Sequence, residues 1–488
     1  PPRAGESAGP GAARRGCVGA SARYVPCHGS FPPRTEPDVR RRLLAAAAAA
    51  LAALPGAALA AAGWPVTTFT LENGLTGVVI EARRAPVVTH MVFYRAGGAD
   101  EPPGRSGVAH YLEHLMFKDA DAEARGGFSA AVAAEGGRDN AFTTPDYTAY
   151  FQRVAADRLD FVMELEAARM ASLEVDPEAA LTERDVILEE RNQRVENSPG
   201  ARLSERRDAA LFLNHPYGDP LIGWRHEIET LTLDDALAFH DRFYAPANAI
   251  LVVAGDVSPE AVRELAEAHY GPIPAREAPE RARPTEPPHL SARRVTYADP
   301  RVRQPYVART HLAPVRRDGR ERAAALTMLS AVLGDGVASH LQRRLVVERG
   351  LAVSAGAWYA GSGRDHGRFT VYAAPRPGVS LDEMEAALDA ELDAFLTGPG
   401  PSEEELARRK TAWRASFVYG QDSQSGLARR YGAGLATDLT LAQIEAWPDA
   451  LDAVAAEDVM AAARAVLDPD TAVTSRLERA APTEGGEG

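Results

Sequence analysis

Gly107-Val108-Ala109-His110-Tyr111-Leu112-Glu113-His114-Leu115-Met116-Phe117 decides how the rest of this chain is read. The spacing predicts one helix. His110 and His114 are i and i+4, so they stand one above the other on the same face. At about 100° per residue, Glu113 falls roughly 60° to one side of His110, inside the same arc. Val108, Leu112, Leu115 and Met116 are apolar and anchor such a helix in a core. Two neutral imidazoles bind Zn²⁺ and a neighbouring carboxylate handles a water proton, so the pattern is that of a metal site. Two histidines and a glutamate on an amphipathic helix also make an ordinary half-buried polar cluster, and the helix by itself does not separate the two.

Working outward, the chain of 488 residues is 45% hydrophobic and 25% charged, which is ordinary globular composition with length for two or more domains. Lys118 and Lys410 are the only lysines, so nearly all positive charge is arginine. The first forty residues are rich in Pro, Gly, Arg and Ala and have no hydrophobic period, which predicts disorder. Arg40-Arg41-Arg42, an apolar run over 43–59 and Ala60-Ala61-Ala62 follow. A basic start, an apolar middle and small residues at the end make a secretory signal peptide, with export across the inner membrane to the periplasm as the expected outcome. The same run left uncleaved is a membrane anchor, although it is Ala-rich and broken by Pro55-Gly56. Cys17 and Cys27 both precede it, so the exported chain is expected to have neither a disulfide nor a thiolate metal ligand. Residues 1–62 hold eight arginines and three acidic residues; the remaining 46 basic and 65 acidic residues give a net charge of −19. A chain this acidic is not expected to bind nucleic acid non-specifically.

Beyond the signal, residues 66–71 and 76–80 flank Asn73-Gly74 and predict a hairpin, and 87–94 a third strand. A short helix over 128–135 ends at Gly136-Gly137. Residues 140–153, rich in Thr, Tyr and Phe, read as a strand interrupted by Pro145, and a strand carrying proline belongs at a sheet edge. An edge beside a metal site can pair with an extended peptide, or be a sheet edge and nothing more. Two long helices follow, 156–172 and 177–195. A catalytic zinc held by three protein ligands needs one more after the histidines. Glu183 and Glu190 are seven apart and share a helix face, whereas Glu189 points elsewhere. Glu190 is therefore the expected third ligand, and Glu183, two turns away, is placed to orient a ligand histidine. Without other support, acidic residues on a helix are a solvated face.

Support comes from resemblance. His110 to Lys118, then Asn140-Ala141-Phe142-Thr143, then Glu183-Arg184-Asp185-Val186-Ile187-Leu188-Glu189-Glu190, resemble the pitrilysin/insulinase-like zinc peptidases, whose H-x-x-E-H order is the inverzincin motif. His215-Pro216-Tyr217-Gly218 and Val252-Val253-Ala254-Gly255-Asp256-Val257 are similar to that family too. The likeness covers nearly all of 64–475 and is nearest to bacterial two-domain subunits related to the mitochondrial processing peptidase. Lys118-Asp119-Ala120 departs from the usual Lys-Gly-Thr, which touches a loop and leaves the ligands in place. The resemblance implies a zinc-dependent endopeptidase: His110, His114 and Glu190 hold Zn²⁺, Glu113 is the general base, Glu183 supports from behind, and Asn140 and Ala141 lie on the edge strand that receives substrate backbone. It also implies an α+β fold of two homologous domains, each an antiparallel sheet packed with helices on one side. The expected division is a disordered extension and signal over 1–62, a metal-bearing domain over 63–271, a Pro-, Arg- and Glu-rich linker over 272–293, a second domain over 294–476 and a tail over 477–488.

The second domain is expected to have lost its site. Gly336 to Leu345 echoes the His stretch at an offset of 229, and the same offset carries Glu190 to Tyr419. The lone His340 there reads as a surface residue. Family members also carry an arginine and a tyrosine, seven apart, that grip substrate backbone near the zinc, and the matching positions here hold Val346 and Val353. A valine side chain donates no hydrogen bond, so the expectation is a dimer. This chain supplies the zinc, and a homologous partner without the zinc motif supplies Arg and Tyr. The alternatives are core valines with substrate grip elsewhere, a non-catalytic structural or assembly subunit, and a peptide-binding module that keeps the metal.

Overall fold

In the computed structural model, residues 64–119 and 127–480 are described. The expectations for the signal peptide, the two cysteines, Ala120 and the end of the tail lie outside them. No helix among the described residues is long and apolar enough to cross a membrane.

The hairpin forms where Asn73-Gly74 places it. β1 (Val66–Thr70) and β2 (Thr76–Ile80) pair antiparallel, and Asn73 buries its amide against the Tyr270 carbonyl at 2.7 Å. β3 (Val87–Tyr94) is almost wholly buried. The stretch expected as one interrupted strand is two: β4 (Arg138–Thr143) and β5 (Thr148–Ala155), antiparallel about a turn that contains Pro145. Pro145 thus ends pairing instead of sitting within it, and β4 is nevertheless the sheet edge. β6 (Ala249–Gly255) is buried at every position, as a central strand must be. The six strands run β1-β2-β6-β3-β5-β4.

The second half repeats this plan with β7 (Arg293–Asp299), β8 (Tyr306–Ala313), β9 (Ala352–Ala360), β10 (Gly367–Pro375) and β11 (Val473–Arg479) in the order β7-β11-β8-β10-β9. The two-domain α+β fold is the expected one, with two corrections. The sheets are mixed, because the last strand of each half returns by a helical crossover and inserts between two earlier strands, β6 between β2 and β3 and β11 between β7 and β8. β6 therefore runs parallel to β2, and β11 parallel to β7.

Helices also cover both faces, because successive residues of the central strands are apolar on both sides. One face of the first sheet packs the His helix (Val108–Leu115) and the helices Leu159–Ala171 and Leu233–Phe243. The other face, through Met91, Phe93 and Val252, is covered by Leu427, Ala428 and Tyr431 of the helix Gln424–Ala436 from the second half. Gly432 permits this approach, since a Cβ there would fall 2.1 Å from the Phe93 ring. In return, the helix Pro199–Leu211 lays Leu203 and Leu211 against Leu477 and Val473 of the second sheet. The halves are joined by exchanged helices as well as by chain.

Strand order corrects the internal echo. The element between β8 and β9 in the place of the His helix is the helix Arg320–Gly334, and the π-helical turn Gln342–Glu348 stands where the short helix Phe128–Ala134 stands in the first half. The offset of 229 to Tyr419 therefore does not hold. Neither Arg320–Gly334 nor the helix Glu403–Gly420, the counterpart of Pro177–Arg191, carries a histidine. His340 is half-buried and packs its ring against Phe395, so it is not a surface residue.

Candidate metal centre

Gly107 begins the His helix with φ +88°, and a Cβ at this position would lie 2.6 Å from the Ile222 carbonyl oxygen. Glu101 caps the helix start by accepting from the backbone N–H of Gly107 at 2.9 Å and of Ala109 at 2.8 Å. The helix buries Val108, Leu112 and Leu115 in the first core, and Tyr111 donates to the Ala180 carbonyl at 2.6 Å. That bond ties the His helix to the helix Pro177–Arg191, which starts at an Asp176 cap and carries the two glutamates.

The predicted helical phase brings the three side chains together. One atom each of His110, His114 and Glu190 lies within 4.8 Å of the others, and this is the only such grouping of three or more His, Cys, Asp or Glu among the described residues. Glu190 Oε2 is 3.7 Å from His110 Nε2 and 3.5 Å from His114 Nε2. These separations exceed ordinary N–H···O bonds. They suit donors sharing one ion, since two ligand atoms about 2.0–2.1 Å from a tetrahedral zinc stand roughly 3.3–3.4 Å apart.

The surroundings orient these atoms. Glu183 Oε2 is 3.2 Å from His114 Nδ1, and Lys118 Nζ is 3.0 Å from Glu183 Oε1. The hydrogen bond from His114 holds the Glu183 carboxyl below its usual range, so it accepts from Nδ1 and leaves Nε2 to face Glu190. Burial opposes a charge on His114, but its hydrogen bond to Glu183 and the facing Glu190 carboxylate prevail and push it up to about 9. Burial and the neighbouring His114 pull His110 down to about 4. The two carboxylates facing the His114 ring favour a positive charge beside it, which a divalent cation supplies. The His–His–Glu cluster is consistent with Zn²⁺.

Glu113 faces the same cleft. Burial raises its carboxyl pKa, and Thr143 Oγ1 on β4 donates to its Oε2 at 2.5 Å. Asn140 is exposed and Ala141 half-exposed on the same edge strand. The cleft encloses about 670 Å³, with an apolar wall from Phe142, Val195, Leu221 and Ile222. Two contacts escaped the sequence reading. Thr143 was visible only as part of the Asn140–Thr143 motif. Arg194, whose Nη1 is 2.7 Å from Glu190 Oε1, was visible as an i+4 partner. In the second half, Val346 packs against the core while Val353 is exposed. Arg344 and Arg349, the nearest candidate substitutes, are both engaged by Glu391 at 3.1 and 3.0 Å, and Tyr359 donates to the Pro314 carbonyl.

Two homologous α+β halves, with one His–His–Glu cluster among the described residues, beside a half-buried carboxylate in the first half, define a metallopeptidase scaffold. Residues 77–224 match the family model described as insulinase, peptidase family M16, and residues 230–412 match the peptidase M16 inactive domain. The zinc protease PqqE of Helicobacter pylori is 34% identical over 364 residues, which is 74% of this chain and 81% of that protein. An uncharacterised zinc protease of Mycobacterium leprae is 31% identical over 416 residues, 82% of this chain and 88% of that one. The crystal structure of a protease from Helicobacter pylori superposes with a TM-score of 0.79 at 30% identity, covering 85% of this chain and all of that one. The chain belongs to peptidase family M16.

Removing the support behind His114 tests this geometry. Glu183→Gln is expected to weaken zinc binding about 10–100-fold, the usual cost of losing an outer partner of a ligand histidine. Competition with a chromophoric chelator measures it, and unchanged affinity would show that Glu183 does not orient the ligand.

Proposed function

We propose that this chain is a zinc-dependent endopeptidase acting on peptides or unfolded protein segments. The observation that carries the reading is the meeting of His110, His114 and Glu190 within 4.8 Å in a cleft that Glu113 also lines. These three residues would hold Zn²⁺. The chemistry supplied by Zn²⁺ when held there is polarisation of the scissile carbonyl and a lowered pKa, near about 7, for the attacking water. Glu113 takes the proton of that water and delivers it to the leaving amine. Its half-buried position and its short bond from the Thr143 hydroxyl suit a carboxylate that must gain and lose a proton. Glu183 holds His114 by its far nitrogen. Asn140 and Ala141 on β4 present an open sheet edge, to which extended substrate backbone adds as a further strand.

The reading includes a partner. Val346 and Val353 offer no donor to a developing oxyanion, a task worth about 3–4 kcal/mol per donor. Arg344, Arg349 and Tyr359 are already bonded within the second half. A homologous chain lacking the zinc motif supplies Arg and Tyr, and the two chains close around the substrate. Residues 40–62 carry the composition of an export signal, so the periplasm is the proposed compartment.

The test is zinc content measured beside turnover of a quenched peptide, with a chelator and zinc add-back, on residues 63–488 alone and co-expressed with such a homologue. Zinc-dependent cleavage that rises at least about a hundredfold with the homologue is expected, the order lost with one oxyanion donor at its weakest. Zinc binding without turnover in either sample would favour a peptide-binding module, and no zinc an assembly subunit. Full activity from a strict monomer would remove the partner.

A further inference from the structure

We propose that Arg283, in the segment between the two sheets, is a positioning residue that sets the His helix and the edge strand β4 against the second half. The inference rests on the proteolytic reading for its functional meaning, and on geometry alone for the strap itself.

The side chain of Arg283 is 4% exposed, and three carboxylates from three separate elements converge on it. Its Nη2 is 2.8 Å from Asp100 Oδ2 and its Nε 3.2 Å from Asp100 Oδ1, a two-pronged grip. Its Nη1 is 2.6 Å from Asp146 Oδ1 and 2.7 Å from Asp365 Oδ2. Asp100 closes the one-turn helix ahead of the His helix, and the next residue, Glu101, caps that helix through Gly107 and Ala109. Asp146 sits in the turn between β4 and β5, three residues from Thr143, which holds Glu113. Asp365 lies in the turn between β9 and β10 of the second half. One guanidinium therefore contacts the lead-in to the metal helix, the end of the substrate edge and the opposite half.

The neighbours reinforce the same joint. Arg281 donates to the Asp146 carbonyl at 2.5 Å and to the Ala436 carbonyl at 3.1 Å, at the end of the exchanged helix Gln424–Ala436. Tyr217 donates its hydroxyl to the Asp146 carboxylate at 2.6 Å. The Arg364 backbone N–H donates to Asp146 Oδ2 at 2.9 Å, and its guanidinium pairs with Asp365 at 3.0 Å. A buried ion network adds little net stability over apolar packing, because desolvation offsets attraction, but it admits only the arrangement that satisfies every partner. Its use here is that of a geometric constraint. Lysine, a point charge, cannot fork to three carboxylates as arginine does.

The experiment uses zinc-loaded residues 63–488 with the homologue, as Arg283→Lys and, because that variant alters a buried cation, also as Asp365→Asn, which keeps volume and removes the second half's charge from the joint, together with its pairing to His215, Arg364 and Arg317. Hydrogen exchange by mass spectrometry is read over 138–147 and, as a remote control, over the helix Pro259–His269. Exchange over 138–147 is expected to quicken about fivefold or more in both variants with the control unchanged, the signature of local rather than global opening. KM for a quenched decapeptide is expected to rise about fivefold with kcat within about twofold and zinc content unchanged. Unchanged exchange over 138–147, equal quickening in both regions, or unaltered KM in an active enzyme would overturn the proposal. A wild-type chain with zinc but no turnover, both alone and with the homologue, overturns the proteolytic reading instead, and the exchange comparison alone then decides the strap.

Discussion

Glu113→Gln leaves the zinc content of the wild type and lowers peptide turnover by about 10²–10⁴-fold, the range lost when a positioned general base is removed. Glutamine has the shape of glutamate, and its amide still meets the Thr143 hydroxyl that now donates to Oε2 at 2.5 Å. What it lacks is a site that accepts a proton. Fold and zinc should both survive, because Glu113 is outside the group of three ligand atoms. Folding stability should not fall, because burial already disfavours the charged form of this carboxyl and the amide carries no charge. Metal analysis and turnover on the same sample decide the matter. Loss of zinc would make Glu113 a ligand, and retained hydrolysis would place the base elsewhere.

Much of this site was legible because helical phase is a local property. His110, His114 and Glu113 share an arc by spacing alone, and the preference for Glu190 over Glu189 follows from the same arithmetic. Thr143 and Arg194 complete the site by contacts that no period announces. The internal echo misled for a related reason. Gly336 to Leu345 shares a surface likeness with the His stretch, but strand order assigns that place to Arg320–Gly334. Sequence likeness over ten residues is a weaker guide to equivalence than position between two strands of known pairing.

The segment between the sheets shows where sequence reading stops. Its Pro, Arg and Glu composition describes a solvated linker, and it has no regular secondary structure. Yet Arg281 and Arg283 are buried, because Asp100, Asp146 and Asp365 lie far away in sequence and beside them in space. Whether an arginine is solvated or caged depends on partners that the tertiary fold alone brings. The exchanged helices are a similar case. Apolar residues on both faces of β3 and β6 demand cover, and nothing local tells which half provides it.

Glu190→Gln is expected to weaken zinc binding by more than the 10–100-fold that loss of an outer partner costs, whereas Glu189→Gln leaves it unchanged. The two residues are adjacent and chemically identical, so the comparison isolates geometry. Glu190 turns Oε2 toward both imidazoles at 3.5 and 3.7 Å and is anchored through Oε1 by Arg194 at 2.7 Å. Glu189 is exposed and accepts from Asn192 and Gln193, each at 3.1 Å. An amide at 190 loses the negative charge that helps to hold a divalent cation, and a neutral amide oxygen is a poor zinc ligand. An amide at 189 changes only contacts with solvent-facing neighbours, so folding should be the same in both variants. Zinc affinities from chelator competition, with thermal melts as the control for folding, give the answer. Equal zinc affinity in the two variants would mean that the face carrying Glu183 and Glu190 is not the one that closes the metal site.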